Sequence, residues 1–157
     1  MKEINLSNSY LKFIVDDEDA GKVSIHSWNI SDKDGGSYTI KSQINNTTVT
    51  LNRYILNYYG DLEIDHKNRN YFDFRKENLR LATGSQNCAN RAVPIHNTSG
   101  YRGVIWKEKN KKWEAFIGFK GRRIYLGIFS NKEDAARCRD KAAKKYFGEF
   151  AYLNFKE

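Results

Sequence analysis

Residues 101–148 read YRGVIWKEKNKKWEAFIGFKGRRIYLGIFSNKEDAARCRDKAAKKYFG, and their pattern decides the fold of the last third of the chain. Three runs rich in β-branched and aromatic residues are separated by the turn-forming segments KNKK and KGR, which predicts three antiparallel strands. The residues that follow switch to helical spacing. Ser130 with Glu133 three positions on is a capping-box signature, and Gly148 suits a left-handed C-terminal cap. Ala135, Ala136, Cys138, Ala142, Ala143 and Phe147 give that helix a face of mostly small residues, which lets it lie close against a sheet. Lys132, Arg137, Lys141, Lys144 and Lys145 are left mainly for solvent or phosphate.

Working outward, HNTSG at 96–100 reads as a linker. Residues 1–50 are rich in strand formers (YLKFIV, KVSIHSW, GSYTIKS, TTVTL) and are broken by DDEDAG and DKDGG, so short strands and hairpins are expected there. Three regions follow: 1–50, 51–95 and 97–157. The fold class expected is α+β. With 157 residues, 39% of them hydrophobic, the chain can build one ordinary domain or two small ones. No run is long enough to span a membrane, and MKEINLSNSY lacks the layout of a signal peptide. Cys88 and Cys138 form no CxxC, so reduced thiols and a cytoplasmic setting are expected.

The net charge of +8 is unevenly placed. Residues 1–96 hold 12 Lys and Arg against 12 Asp and Glu, whereas residues 97–157 hold 15 against 7. Cations segregated in this way and interleaved with aromatics point to a nucleic-acid-binding module.

Residues 64–87, IDHKNRNYFDFRKENLRLATGSQN, carry the other chemical signal. A calcium loop counted from Asp65 would need a ligand at Lys67 and Gly at Asn70, so that reading fails. LEIDH reads as a strand ending at Asp65-His66, and LRLAT as its partner. Thr83 and Gln86 form a capping box that starts a helix carrying Asn87 on its first turn. Aspartate and asparagine oxygens suit Mg²⁺, neutral histidine suits a general base, and Lys67, Arg69, Arg75, Arg80 and Arg91 can hold phosphate.

The pattern IDH…NLR.AT..QN..N resembles the HNH (ββα-metal) nuclease motif of phage and intron homing endonucleases. By that resemblance His66 is the general base, Asp65 and Asn87 ligate one divalent metal (Mg²⁺, or Mn²⁺), and Asn78 orients the loop and the base. Arg53 in TLNRYIL would support the site or contact phosphate. Asn52 stands where relatives often carry His, and Phe74 breaks the usual DNR triplet.

The C-terminal block resembles the plant APETALA-two/ethylene-response-factor DNA-binding domain through YRGV, KW.A.I, LG.F, EDAA…D.AA and LNF. That family lays its sheet in the major groove with the helix behind. By position Arg102, Lys107, Lys109, Arg123 and Tyr125 become DNA contacts. Trp106 and Trp113 are either stacking or core residues. Ile105, Phe116 and Gly118 replace the polar contacts of the plant domains, so their target sequence does not transfer. Together the resemblances imply a monomeric, metal-dependent endonuclease of a phage or mobile element, nicking double-stranded DNA, with no organic cofactor and no membrane partner. The alternative is a non-catalytic, sequence-specific DNA-binding regulator that keeps the HNH fold as a scaffold. Binding of structured RNA is a third and weaker reading.

Overall fold

The computed structural model describes residues 1–33, 37–94 and 96–155. The chain is α+β and divides into two compact units, 1–82 and 83–157. Residues 34–36 of the DKDGG turn lie outside the described residues.

The first unit begins with an antiparallel pair, β1 (Lys2–Asn5) and β2 (Lys12–Val15). Most of DDEDAG and the first three residues of the expected KVSIHSW strand are instead helix α1 (Asp17–Ser24), and the rest of KVSIHSW forms no strand. Asp17, Glu18 and Asp19 in its first turn favour a helix N-terminus, and Ala20 and Val23, three apart, share the buried face. A three-stranded antiparallel sheet follows, from β3 (Asn29–Lys33), β4 (Ser37–Ile44) and β5 (Thr47–Thr50), then helix α2 (Leu51–Leu56). Hairpin β6 (Glu63–His66) and β7 (Leu79–Ala82) pairs Asp65 with Arg80 and His66 with Leu79. One core joins most of these elements, and includes Phe13, Val15, Val23, Trp28, Leu51, Phe74 and Leu79.

The second unit opens with α3 (Gly84–Asn90), whose Thr83/Gln86 capping box forms as expected. HNTSG lies inside this unit as a tied turn, where Asn97 Oδ1 accepts from Gly100 N and Ser99 Oγ at 2.8 Å each. Strands β8 (Val104–Lys107), β9 (Lys112–Phe119) and β10 (Arg122–Phe129) form an antiparallel sheet in the order β10-β9-β8. Helix α4 (Lys132–Phe147) packs on it through Ala135, Ala136, Ala143 and Phe147. Asn131, not Ser130, caps α4, its Oδ1 accepting from Glu133 N at 2.7 Å. Gly148 does take a positive φ of 53° at the helix end. The β9–β10 turn holds Lys120 and Gly121 at φ 49° and 73°, two successive left-handed residues of the sort a tight hairpin requires.

Candidate nucleic-acid interface

Strand alternation gives the C-terminal sheet two unlike faces. Val104, Ala115, Ile117, Ile124 and Leu126 point to the core against α4. The register puts Ile105, Lys107, Lys112, Glu114, Phe116, Gly118, Arg123 and Tyr125 on the other face. An extra residue between Tyr125 and Gly127 keeps Tyr125 outward while Leu126 and Phe129 stay packed. Tyr125 is 60% exposed. Lys107 and Arg123 share this surface, and Lys109 is exposed on the turn before β9.

Glu114 lies between the two cations of this face. It accepts from Arg123 at 2.7 Å and pairs with Lys107 at 3.4 Å. The Arg123 guanidinium carbon also sits 3.6 Å from the centre of the Phe116 ring. Sequence reasoning passed over Glu114; its parity with Lys107 across β8–β9 was the available signal. Trp106 is a hybrid: it meets Trp113 at 5.0 Å and its Nε1 donates to Glu108 at 2.6 Å, so it is not a free stacking platform.

Arg102 corrects an expectation. Its guanidinium donates to Ala89 O at 2.8 Å, to Cys88 O at 2.7 Å and to Arg91 O, which closes the C-terminal end of α3. Burial, with Arg139 nearby, pushes it down to about 10. A guanidinium spent on three carbonyls is a structural clamp, not a DNA contact. The LNF segment is structural as well. Asn154 Oδ1 accepts from Arg102 N at 2.7 Å, while Asp140 Oδ2 accepts from Asn154 N at 2.7 Å and Phe155 N at 3.0 Å. Helix, sheet and C-terminal segment are thereby stitched through one buried carboxylate.

In the first unit, most expected site residues serve the loop between β6 and β7. Asn78 Oδ1 accepts from Asn68 N at 2.9 Å and its Nδ2 donates to Asp73 O at 2.8 Å. Asp73, 2% exposed, accepts from Arg75 Nε at 2.9 Å and Nη2 at 2.7 Å. That guanidinium holds the Asp73 carboxyl below its ordinary range. Phe74, the irregular position of the motif, is a core residue that meets Phe13 at 5.8 Å and His66 at 5.1 Å edge-on. Arg53 donates to the carbonyls of Tyr58, Gly60 and Leu62 at 3.3, 3.0 and 3.1 Å, so it ties a loop together. Arg69 sits at a left-handed φ of 65°, and Arg91 is exposed just past α3.

The groups expected to react are poorly suited to hydrolysis. Asp65 is 5% exposed, and its Oδ2 accepts from Arg80 Nε at 2.9 Å and Nη2 at 2.8 Å. A divalent ion at that oxygen would have to displace a guanidinium. Burial lowers His66 to about 4, far from the value near working pH that favours a general base. Asn87 belongs to α3 of the second unit, whereas Asp65, His66 and Asn78 belong to the first.

No family model matches the chain. Among curated proteins it is 40% identical over 65 residues to the AP2-like ethylene-responsive transcription factor TOE2 of Arabidopsis thaliana, covering 41% of this chain and 13% of that protein. It is 44% identical over 59 residues to the ethylene-responsive transcription factor WRI1 of the same plant, covering 36% of this chain and 14% of the relative. With AP2-like factor AIL5 it shares 34% over 113 residues, which is 69% of this chain and 18% of the relative. The chain thus spans less than a fifth of each of these proteins. No helix among the described residues is long and apolar enough to cross a membrane.

These relatives correct the enzymatic expectation. They are named as transcription factors, so the reading of the chain as an HNH endonuclease, on which the roles expected of His66, Asn78, Asp65 and Asn87 depended, is withdrawn. They are plant proteins, which also overturns the expected cytoplasmic setting of a phage or mobile-element protein. The C-terminal unit, three strands backed by one helix, is the part of the chain whose expected resemblance these relatives support.

Proposed function

We propose that the chain is a non-catalytic, sequence-specific binder of double-stranded DNA, and that it reads the major groove with the outer face of β8–β10. One observation carries this reading: the register collects Lys107, Arg123 and Tyr125 on a single sheet face whose back is filled by α4. A rigid two- or three-stranded ribbon is a shape that fits the major groove, and arginine there can donate in bidentate fashion to a guanine. The similarity to plant transcription factors supports the same reading. The excess of cations beyond residue 96 supplies the phosphate attraction on which such binding depends. In this reading the chain acts as a monomer, and the Asp65–His66–Asn78 hairpin is a scaffold.

The test is selection from a random duplex library with the full chain, followed by titration of the enriched duplex and a scrambled one at several salt concentrations. Enrichment of one short motif, with discrimination of at least about 10³ over scrambled DNA, is the expected result. Absence of any motif overturns the proposal. So does Mg²⁺-dependent nicking of supercoiled plasmid that His66→Ala abolishes.

A further inference from the structure

We infer that Glu114 and Phe116 are positioning residues for Arg123, holding its guanidinium as a fixed fork on the sheet face and keeping it off the phosphates. This rests on the DNA-binding reading above. Arg123 pairs across the strands with Gly118, which has no side chain to stand beside it. The arginine side chain therefore lies along β9, with its guanidinium carbon 3.6 Å from the Phe116 ring centre and Nη2 2.7 Å from Glu114 Oε1. Stacking and the charge-assisted hydrogen bond together restrict a side chain that otherwise carries considerable rotamer freedom.

Glu114 is the one acidic side chain among the strand residues of that face. Its side chain is only 17% exposed, against 50% for Arg123 and 40% for Lys107. The carboxylate side chain is thus the more covered partner of each pair, and the two cations are the more open ones. A negative charge at the centre of a DNA-reading surface repels phosphate and weakens indiscriminate binding. The same charge fixes the geometry of the arginine that makes the base contact. Specificity gains in both ways, because the wrong partner is disfavoured while the right one meets a preorganised donor.

Glu114→Gln keeps the size and removes the charge. In the full chain it is expected to raise affinity for scrambled duplex about threefold. It is also expected to lower discrimination at one G·C pair of the selected motif about tenfold and to steepen the salt slope by about one. Phe116→Leu removes the stack and is expected to lose the same discrimination, whereas Phe116→Tyr, which keeps a ring, restores it. Far-UV circular dichroism verifies the fold of each variant. Unchanged discrimination and salt slope in folded Glu114→Gln overturn the clamp while leaving the DNA-binding reading intact. A wild-type chain with no preferred motif overturns both.

Discussion

The two units use arginine in opposite ways. Residues 1–82 hold 11 Lys and Arg against 12 Asp and Glu, and residues 83–157 hold 16 against 7. In the first unit Arg53, Arg75 and Arg80 bind backbone carbonyls or buried carboxylates. In the second, Arg102 and Arg139 are consumed in the same way, but Lys107 and Arg123 stay on an open sheet face. A tally of cations near a motif therefore says little about what can meet a phosphate. The deciding question is whether the cation is enclosed with its acceptor, as Arg80 is at 11% exposure, or keeps donors open despite its pairing, as Arg123 does at 50%, since a buried charge persists only where it is paired.

The sharpest way to break this comparison is Arg80→Ala. The substitution strands the Asp65 carboxylate, at 5% exposure, without its guanidinium. Breaking a buried pair from one side costs about 3–5 kcal/mol. Urea unfolding followed by fluorescence of Trp28, the buried tryptophan of the first unit, measures the loss once Trp106 and Trp113 are replaced by Phe. DNA affinity per folded molecule is expected to stay the same. A large fall in that affinity would place Arg80 on the interface after all.

His66 gives an effect of nearly the same size that depends on pH. Its value of 6.5 in the unfolded chain falls to about 4 in the fold because burial disfavours the imidazolium, against opposing contributions from Asp65 and Asp73. The unfolded chain thus binds more protons between those two values, and stability rises with pH across that window. The contribution is complete above about pH 6.5 and is lost as pH falls toward 4, to the extent of roughly 3 kcal/mol. His66→Gln is expected to flatten this part of the stability profile, measured by urea titration from pH 4 to 7. A profile equally steep in the variant would assign the dependence to other groups.

The second unit was the more legible of the two in the sequence, and the reason is local. Its strands alternate, its turns place Lys111, Lys120 and Gly121 at positive φ, and its helix is long enough for its small-residue face to show. The first unit hides α1 because eight residues with a β-branched Val23 and an acidic start resemble a turn followed by a strand. Tertiary packing of Ala20 and Val23 against the common core decided the matter, and no local rule expresses that. At the site, spacing located Asp65, His66 and Asn78 around one hairpin but could not show that Arg80 occupies Asp65. Two residues opposite each other on neighbouring strands read equally well as an ion pair or as a ligand beside a phosphate anchor. The clamp on Arg123 was invisible for a related reason: its partners are separated from it by a hairpin, and only the register brings them together.

A smaller effect sharpens the comparison from the other side. Lys107→Ala removes an exposed cation from the proposed interface. Binding to every duplex, selected or scrambled, is expected to weaken by about 1 kcal/mol, with the salt slope reduced by about one. Stability should change by less than about 0.5 kcal/mol, as for other surface substitutions. If Lys107→Ala instead weakened only the selected duplex, the lysine would be reading a base edge and not a phosphate.

The least effect separates scaffold from interface within the second unit. Asn131 Oδ1 accepts from Glu133 N at 2.7 Å and Asp134 N at 3.4 Å, so Asn131→Ala exposes two donors of the first turn of α4. The expected cost is about 1 kcal/mol, whereas Ser130→Ala, one position outside the cap, should cost only a few tenths. Both are read as urea midpoints by fluorescence of the Trp106–Trp113 pair. Because α4 backs the sheet and takes no part in its outer face, neither variant should move the salt slope of DNA binding. A changed slope in Asn131→Ala would mean that the N-terminus of α4 meets phosphate itself, which would extend the interface from the sheet to the helix behind it.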